Sequence, residues 1–186
     1  MSNQTNFGLD FPAGKATALI TKIQHIAREN GSEARIVGGA VRDRLMRKPV
    51  KDFDMAINMP ITRFINIMNK HKIKFYETGL AHGTITVSQD DVSIEVTQTR
   101  IDVKSDGRYS EVEETTDWSK DANRCDFTVN AIYLTDDGKL YDPYHGALDI
   151  QHKKLKFIGS ADARIEEDYL RILRAFRFLA CLPSFA

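Results

Sequence analysis

Apolar positions recur at helical spacing from about Lys15 to Asn30, where Leu19, Ile20, Ile23, Ile26 and Ala27 share one face and Gly31 supplies a stop. The short run Arg35-Ile36-Val37 predicts a strand that leads directly into Gly38-Gly39. Ala40 to Arg47 then reads as a helix closed by Lys48-Pro49. Phe53 to Asn58 alternates as a strand does, and Ile61 to His71 is amphipathic, with Phe64, Ile65 and Met68 on its apolar side. Three strand-like runs follow, Ile73 to Tyr76, Thr84 to Val87 and Val92 to Thr97, the last two joined by a turn at Gln89-Asp90-Asp91. From Asp102 to Asp117 the periodicity lapses around Lys104-Ser105-Asp106-Gly107, which predicts a mobile loop. Asp126 to Tyr133 and Lys139 to Tyr141 read as extended segments, and one amphipathic helix is expected from about Ala163 to Ala180.

Composition adds bounds rather than detail. At 186 residues the chain can bury one sizeable core and begin a second unit. Its 26 basic and 26 acidic residues cancel, so no global basic field recruits nucleic acid. From Gln151 onward, seven Lys or Arg stand against four acids, a local bias that suits nearby phosphate. Two cysteines, Cys125 and Cys181, make neither a disulfide framework nor a zinc pattern. No apolar run approaches the roughly 20 residues that span a bilayer, and Met1 to Asn6 carries no secretory pattern. A cytoplasmic protein without membrane partners is expected.

Chemistry gathers at a few places. A glycine pair at the mouth of a helix, Gly38 and Gly39, lets backbone N–H groups come close to a polyphosphate. The same pair also suits a plain tight turn, and neither a Walker loop nor a G-x-G-x-x-G spacing is present. Arg42, one turn on, would sit near bound phosphates or pair with Asp43. Asp52 and Asp54 at i and i+2 on a strand point from one face, as ligands of a shared divalent metal must. Two-metal phosphoryl chemistry needs ions about 3.5–4 Å apart between shared carboxylates. An outward-facing polar strand edge gives the same pattern. Glu95 could add a third carboxylate from another strand. Asp126, in Arg124-Cys125-Asp126, could accept from a ribose hydroxyl or cap a helix, with Asn130 bracing the loop. In a continuous last helix Asp168 and Arg171 share a face, Arg174 lies close to it and Arg177 has rotated away. An Asp–Arg pair can read a base edge, or be an exposed i,i+3 ion pair.

In order and spacing, the Gly38–Asp54, Arg124–Ala131 and Glu167–Arg177 blocks resemble the bacterial-type (class II) tRNA nucleotidyltransferases, a family that includes bacterial poly(A) polymerases. Thr78 to Val87, followed by Ile94-Glu95-Val96-Thr97, resembles its CCA-adding branch. The resemblance implies an α+β nucleotidyltransferase head, residues 1–150, with a mixed sheet and flanking helices. Residues 151–186 would begin a helical neck. It implies Mg2+ on Asp52 and Asp54, the catalytic residues. Gly38, Gly39 and Arg42 would lie at the nucleotide, and Asp126 at its ribose. Asp168 and Arg171 would act as an amino-acid template for the base of CTP or ATP, with Arg174 and Arg177 completing the site. The loop after Asp102 would help to switch from C to A addition. The partners implied are CTP, ATP and the tRNA 3′ end.

Two departures stand out. The family's Arg-Arg-Asp is Arg124-Cys125-Asp126 here, and a thiol supplies neither charge nor a donor fork. The family also continues into helical body and tail domains that grip tRNA, whereas this chain stops at Ala186. A fragment, or a short protein working with a second chain, is therefore expected. Other readings are a relative that adds only C, only A or a poly(A) tail, and a catalytically silent nucleotide- or RNA-binding module.

Overall fold

The structure, a computed structural model, describes residues 4–5, 11–105, 110–182 and 184–185. Among the described residues, ten strands and seven α-helices follow in chain order: β1 (Gln4–Thr5), α1 (Lys15–Glu29), β2 (Ala34–Val37), α2 (Gly39–Leu45), β3 (Asp54–Ile57), α3 (Ile61–Lys70), β4 (Lys74–Gly79), β5 (Thr84–Gln89), β6 (Val92–Gln98), β7 (Arg100–Ser105), β8 (Ser110–Glu114), α4 (Trp118–Asn123), β9 (Tyr133–Leu134), β10 (Leu140–Tyr141), α5 (Gly146–Gln151), α6 (Ala161–Glu167) and α7 (Leu170–Cys181). Eight strands form one sheet in the order β1-β10-β9-β2-β3-β6-β5-β4. Within it β3 and β6 run parallel, while β2–β3, β5–β6 and β4–β5 are antiparallel. The sheet is mixed and flanked by helices, as the α+β expectation held.

Alternation assigns the two faces. Ile36, Met55, Ile57, Ile85, Val87, Ile94 and Val96 are buried in the main core with Leu19, Ile23 and Ala27 of α1 and Phe64 and Met68 of α3. The residues between them, Val37, Ala56 and Tyr133, join Trp118 and Ala122 in a smaller apolar cluster on the other face. That second face also bears the Asp54 and Glu95 side chains. Arg35 is buried there with its guanidinium 4.0 Å above the Trp118 ring and 5.0 Å from the Tyr141 ring. Stacking supplies part of what water would otherwise give the charge.

Three expectations need correction. The segment predicted as a mobile loop is largely a hairpin, since β7 and β8 pair antiparallel from Arg100↔Glu114 to Ser105↔Ser110. Its two strands form a separate two-stranded sheet and owe no apolar alternation to the core. Residues 106–109, the heart of the predicted loop, lie outside the described residues. Asp126 to Tyr133 is not a continuous strand: Thr128–Asn130 forms a 3-10 turn and only Tyr133–Leu134 pairs in the sheet. The last helix is interrupted at Asp168 and Tyr169, which separate α6 from α7. Asp168 adopts φ −156° and ψ 103° while its Oδ1 accepts from Leu170 N at 2.9 Å, so its own side chain opens the second helix. Among the described residues, no helix is long and apolar enough to cross a membrane.

Candidate active site

β3 begins at Asp54, which lies in register with Val37 of β2 on one side and with Glu95 of β6 on the other. Equal register on adjacent parallel strands sends the Asp54 and Glu95 side chains out of the same face. Both line an open cleft of about 380 Å3, together with Gly38, Gly39, Arg42 and Asn130. Asp52 was expected on the strand with Asp54, but β3 starts two residues later, so Asp52 sits in the connection before it. There it is exposed and does not line the cleft. Its charge still reaches Asp54, whose carboxyl is raised above its usual range by the surrounding walls first, then by Glu95, then by Asp52. All three causes oppose ionisation, so a cation brought to this cleft would relieve them.

The donor set fits magnesium. Among the described residues, no group of three or more His, Cys, Asp or Glu is assembled to hold a metal unaided. Mg2+ does not require such a cage, because it usually takes one or two carboxylates and fills its octahedron with water and substrate phosphate. The hard carboxylate oxygens of Asp54 and Glu95 at the cleft meet that description, while Asp52 reaches it from the connection only through its charge.

The glycine pair earns its place through the backbone. Gly38 sits at φ +65° and ψ −125°, a conformation that L side chains rarely adopt, with its N–H donating to Ile132 O at 3.2 Å. The turn delivers Arg42 to the cleft. Arg42 Nη1 donates to Asn130 Oδ1 at 2.7 Å and Nε to Asp43 Oδ1 at 2.9 Å, with the Phe178 ring 5.2 Å away. Asn130 thus braces an arginine, and the pairing with Asp43 is present as well. Arg42 also lines a second cavity of about 380 Å3 between α2 and α7, with Lys48, Arg174, Arg177 and Phe178.

Next to this junction, Arg124 is already engaged. Its Nε donates at 2.8 Å to Asp121 Oδ1, and the buried Asp121 also accepts from the Tyr133 hydroxyl at 2.8 Å. Arg124 therefore does not swing over to replace the guanidinium missing at Cys125. Burial pushes the Cys125 thiol up to about 11, so it stays protonated at neutral pH.

Asp126 caps no helix. Its two oxygens take Arg171 Nε at 2.7 Å and Arg174 Nε at 2.6 Å. Arg174 Nη2 continues to Asp168 Oδ2 at 2.6 Å, while Arg171 Nη1 reaches Glu167 Oε2 at 2.6 Å. The interruption before α7 thus changes the pairing expected from a continuous helix. Asp168 is joined to Arg174 instead of Arg171, and the buried Arg171 faces Asp126. Arg177 is exposed and contributes to the second cavity only. All the expected site residues except Asp52 fall into one of the two cavities or into the ion-pair network that Arg174 links to them. Sequence reading missed Asp121, Lys48, Glu167 and Arg164. The i,i+3 and i,i+4 spacings of Asp121 to Arg124 and Glu167 to Arg171 were visible signals, whereas Arg164 reaches carbonyls 39 and 40 residues away.

A Gly-Gly turn, a carboxylate pair on adjacent strands and an arginine-lined second cavity define a nucleotidyltransferase-type head. Residues 34–156 match the family described as the Poly A polymerase head domain, and the chain belongs to that family. It is 45% identical over 157 residues to the zebrafish (Danio rerio) CCA tRNA nucleotidyltransferase 1, mitochondrial, covering 84% of this chain and 36% of that protein. It is 39% identical over 170 residues to the CCA-adding enzyme of Streptococcus pyogenes, covering 90% of this chain and 40% of that one. The structure of the Bacillus stearothermophilus CCA-adding enzyme in complex with CTP superposes with a TM-score of 0.79 at 30% identity, over 90% of this chain and 40% of that chain. The chain thus spans well under half the length of the relatives it matches.

Proposed function

We propose that this chain is the catalytic head, residues 1–150, and the start of the neck, residues 151–186, of a tRNA nucleotidyltransferase that adds 3′-terminal CCA. The observation that carries this reading is the cleft that joins Asp54 and Glu95 to the Gly38-Gly39 turn and Arg42. The names of the relatives support the substrate. In the reaction, the 3′ hydroxyl oxygen of tRNA bonds to the α-phosphorus of CTP or ATP. The bond from that phosphorus to its bridging oxygen breaks, pyrophosphate leaves and the hydroxyl proton is given up to solvent or a base. Asp52 and Asp54 would hold Mg2+, which when bound lowers the pKa of the attacking hydroxyl and neutralises phosphate charge.

The chain's own groups orient the nucleotide. Gly38 and Gly39 let the backbone approach the triphosphate, and Arg42, Arg174 and Arg177 offer donor forks to its oxygens. Asp126, exchanging one of its arginine contacts, would accept from the ribose, and Asp168 and Arg171, released from Arg174 and Asp126, would present acceptor and donor groups to the base edge, so no nucleic-acid template is required. The segment after Asp102, whose β7 and β8 strands pair, would assist the change from C to A. The exposed apolar residues Tyr169, Leu170, Leu173 and Phe176 on and beside α7 support a covering partner, from further helical domains or a second chain. A cytoplasmic location is retained, with a mitochondrial one as the alternative that the vertebrate relative's name brings.

The test is extension of tRNA lacking its CCA end, with labelled CTP and ATP and Mg2+, beside Asp52→Ala/Asp54→Ala. Incorporation lost in the double variant is expected. The uncharged, half-buried Cys125 favours one further reading, a nucleotide- or RNA-binding module without turnover. Mg2+-dependent CTP binding with no incorporation at any tRNA concentration would select that module.

A further inference from the structure

Arg164 lines neither cavity, yet it ties the two sides of the nucleotide site together. Its Nη2 donates to the carbonyl oxygens of Arg124 and Cys125, at 3.1 and 2.9 Å. Its Nη1 donates at 2.8 Å to Glu167 Oε2, the same oxygen that accepts from Arg171 Nη1 at 2.6 Å. Arg171 in turn donates through Nε to Asp126 Oδ1 at 2.7 Å, one residue beyond the carbonyl where the circuit began. The circuit is drawn tighter because Arg171 Nη1 also donates to the Arg164 carbonyl at 2.6 Å. The Arg164 side chain is only 14% exposed, and its Nε is buried without a partner. A surface arginine would turn that N–H to water. Here the three hydrogen bonds from its two Nη atoms hold the guanidinium so that the remaining Nε donor is left dry.

We propose that Arg164 is a positioning residue: it fixes Asp126, on the ribose side, relative to Asp168 and Arg171, on the base side, so that both are read in one register. The proposal rests on the nucleotidyltransferase reading above. Asp126 belongs to the segment after α4, while Asp168 and Arg171 belong to the break and first turn of α7. Any rotation of α6 and α7 against residues 124–126 would displace one set of groups from the other. Misplacement by about 1 Å is enough to lose a well-aligned hydrogen bond or to cost a large factor in rate. A lysine would keep the charge at residue 164 but could not fork to two carbonyls and a carboxylate at once.

Calorimetric binding of CTP, UTP and pyrophosphate to the full chain in Mg2+ tests this, comparing wild type with Arg164→Ala and Arg164→Lys. The expected result for Arg164→Ala is about a tenfold loss of CTP affinity and a narrower preference over UTP, with pyrophosphate affinity unchanged. Arg164→Lys should recover thermal stability while recovering only part of that preference, and it carries the test if the alanine variant does not fold. An unchanged CTP affinity and CTP-over-UTP preference in a folded variant would overturn the proposal. So would equal losses for CTP and pyrophosphate that lysine fully restores, because these describe a purely structural arginine. A wild-type chain that binds pyrophosphate but not CTP would instead overturn the nucleotide reading, and the inference would fall with it.

Discussion

Asp54 is held in conflict by its surroundings, and that conflict has a measurable sign. Its raised pKa means the folded protein retains a proton there at a pH where the unfolded chain has released it. Stability contributed by this group is therefore present below the unfolded carboxyl pKa and lost as pH rises through the folded value. Asp54→Asn should raise Tm at pH 7 without divalent cation by on the order of 1–3 °C, a small figure because the side chain is exposed to water. The gain should vanish below pH 4, and added Mg2+ should stabilise the wild type more than the variant. A lower Tm for Asp54→Asn at pH 7 would refute the electrostatic account. Cys125 gives a second residue-level expectation. With its thiol pushed up to about 11 by burial, it should resist a thiol reagent at pH 7.5, while the exposed Cys181 reacts at once. One fast thiol in the native protein and two after denaturation is the expected titration; two fast thiols would show that the Cys125 site opens readily.

At the scale of elements, the junction of α5 with the 3-10 turn at Thr128–Asn130 is packed to backbone contact. A Cβ on Gly146 would lie 2.1 Å from the Thr128 carbonyl oxygen, and no rotamer can relieve a clash made by Cβ itself. Gly146→Ala should cost about 2–3 kcal/mol and disturb the turn that carries Asn130, read as a fall in denaturation midpoint together with weaker nucleotide binding. Nothing in the sequence marks this contact, because Gly146 lies beyond the segments whose periodicity speaks. α1, α3, β5 and β6 were legible because each buries one face and leaves the other wet. The hairpin of β7 and β8 was not, since it stands apart from the main sheet. The break between α6 and α7 was hidden as well. Ile165, Tyr169, Ile172 and Phe176 continue the helical spacing across the break, and only the Asp168 side chain, accepting from Leu170 N, opens a new helix there. The candidate site residues stood out by type and order, but the pairing of Asp126, Asp168, Arg171 and Arg174 depended on that break.

Across the whole molecule, the sheet's chemical face and the last helix are joined by two different kinds of contact. Asp126 takes both Arg171 and Arg174, and Phe178 packs 5.2 Å from Phe127 by ring centroids. The Arg174 side chain is 40% exposed, so its share of the junction is open to screening by salt. Arg171 is buried between two carboxylates, and removing Asp126 would leave it with Glu167 alone, at a cost of about 1–2 kcal/mol for a charge still partly compensated. Asp126→Asn should therefore free α7 from the head without unfolding the sheet. Hydrogen exchange should show faster amides across α7 in Asp126→Asn at low salt, with the buried faces of α1 and α3 unchanged. Raising salt from 0.1 to 1 M should move wild-type α7 in the same direction but less far, because it weakens Arg174 and spares Arg171. If α7 stays protected in both cases, the apolar contact through Phe178 holds the helix and the arginines do not.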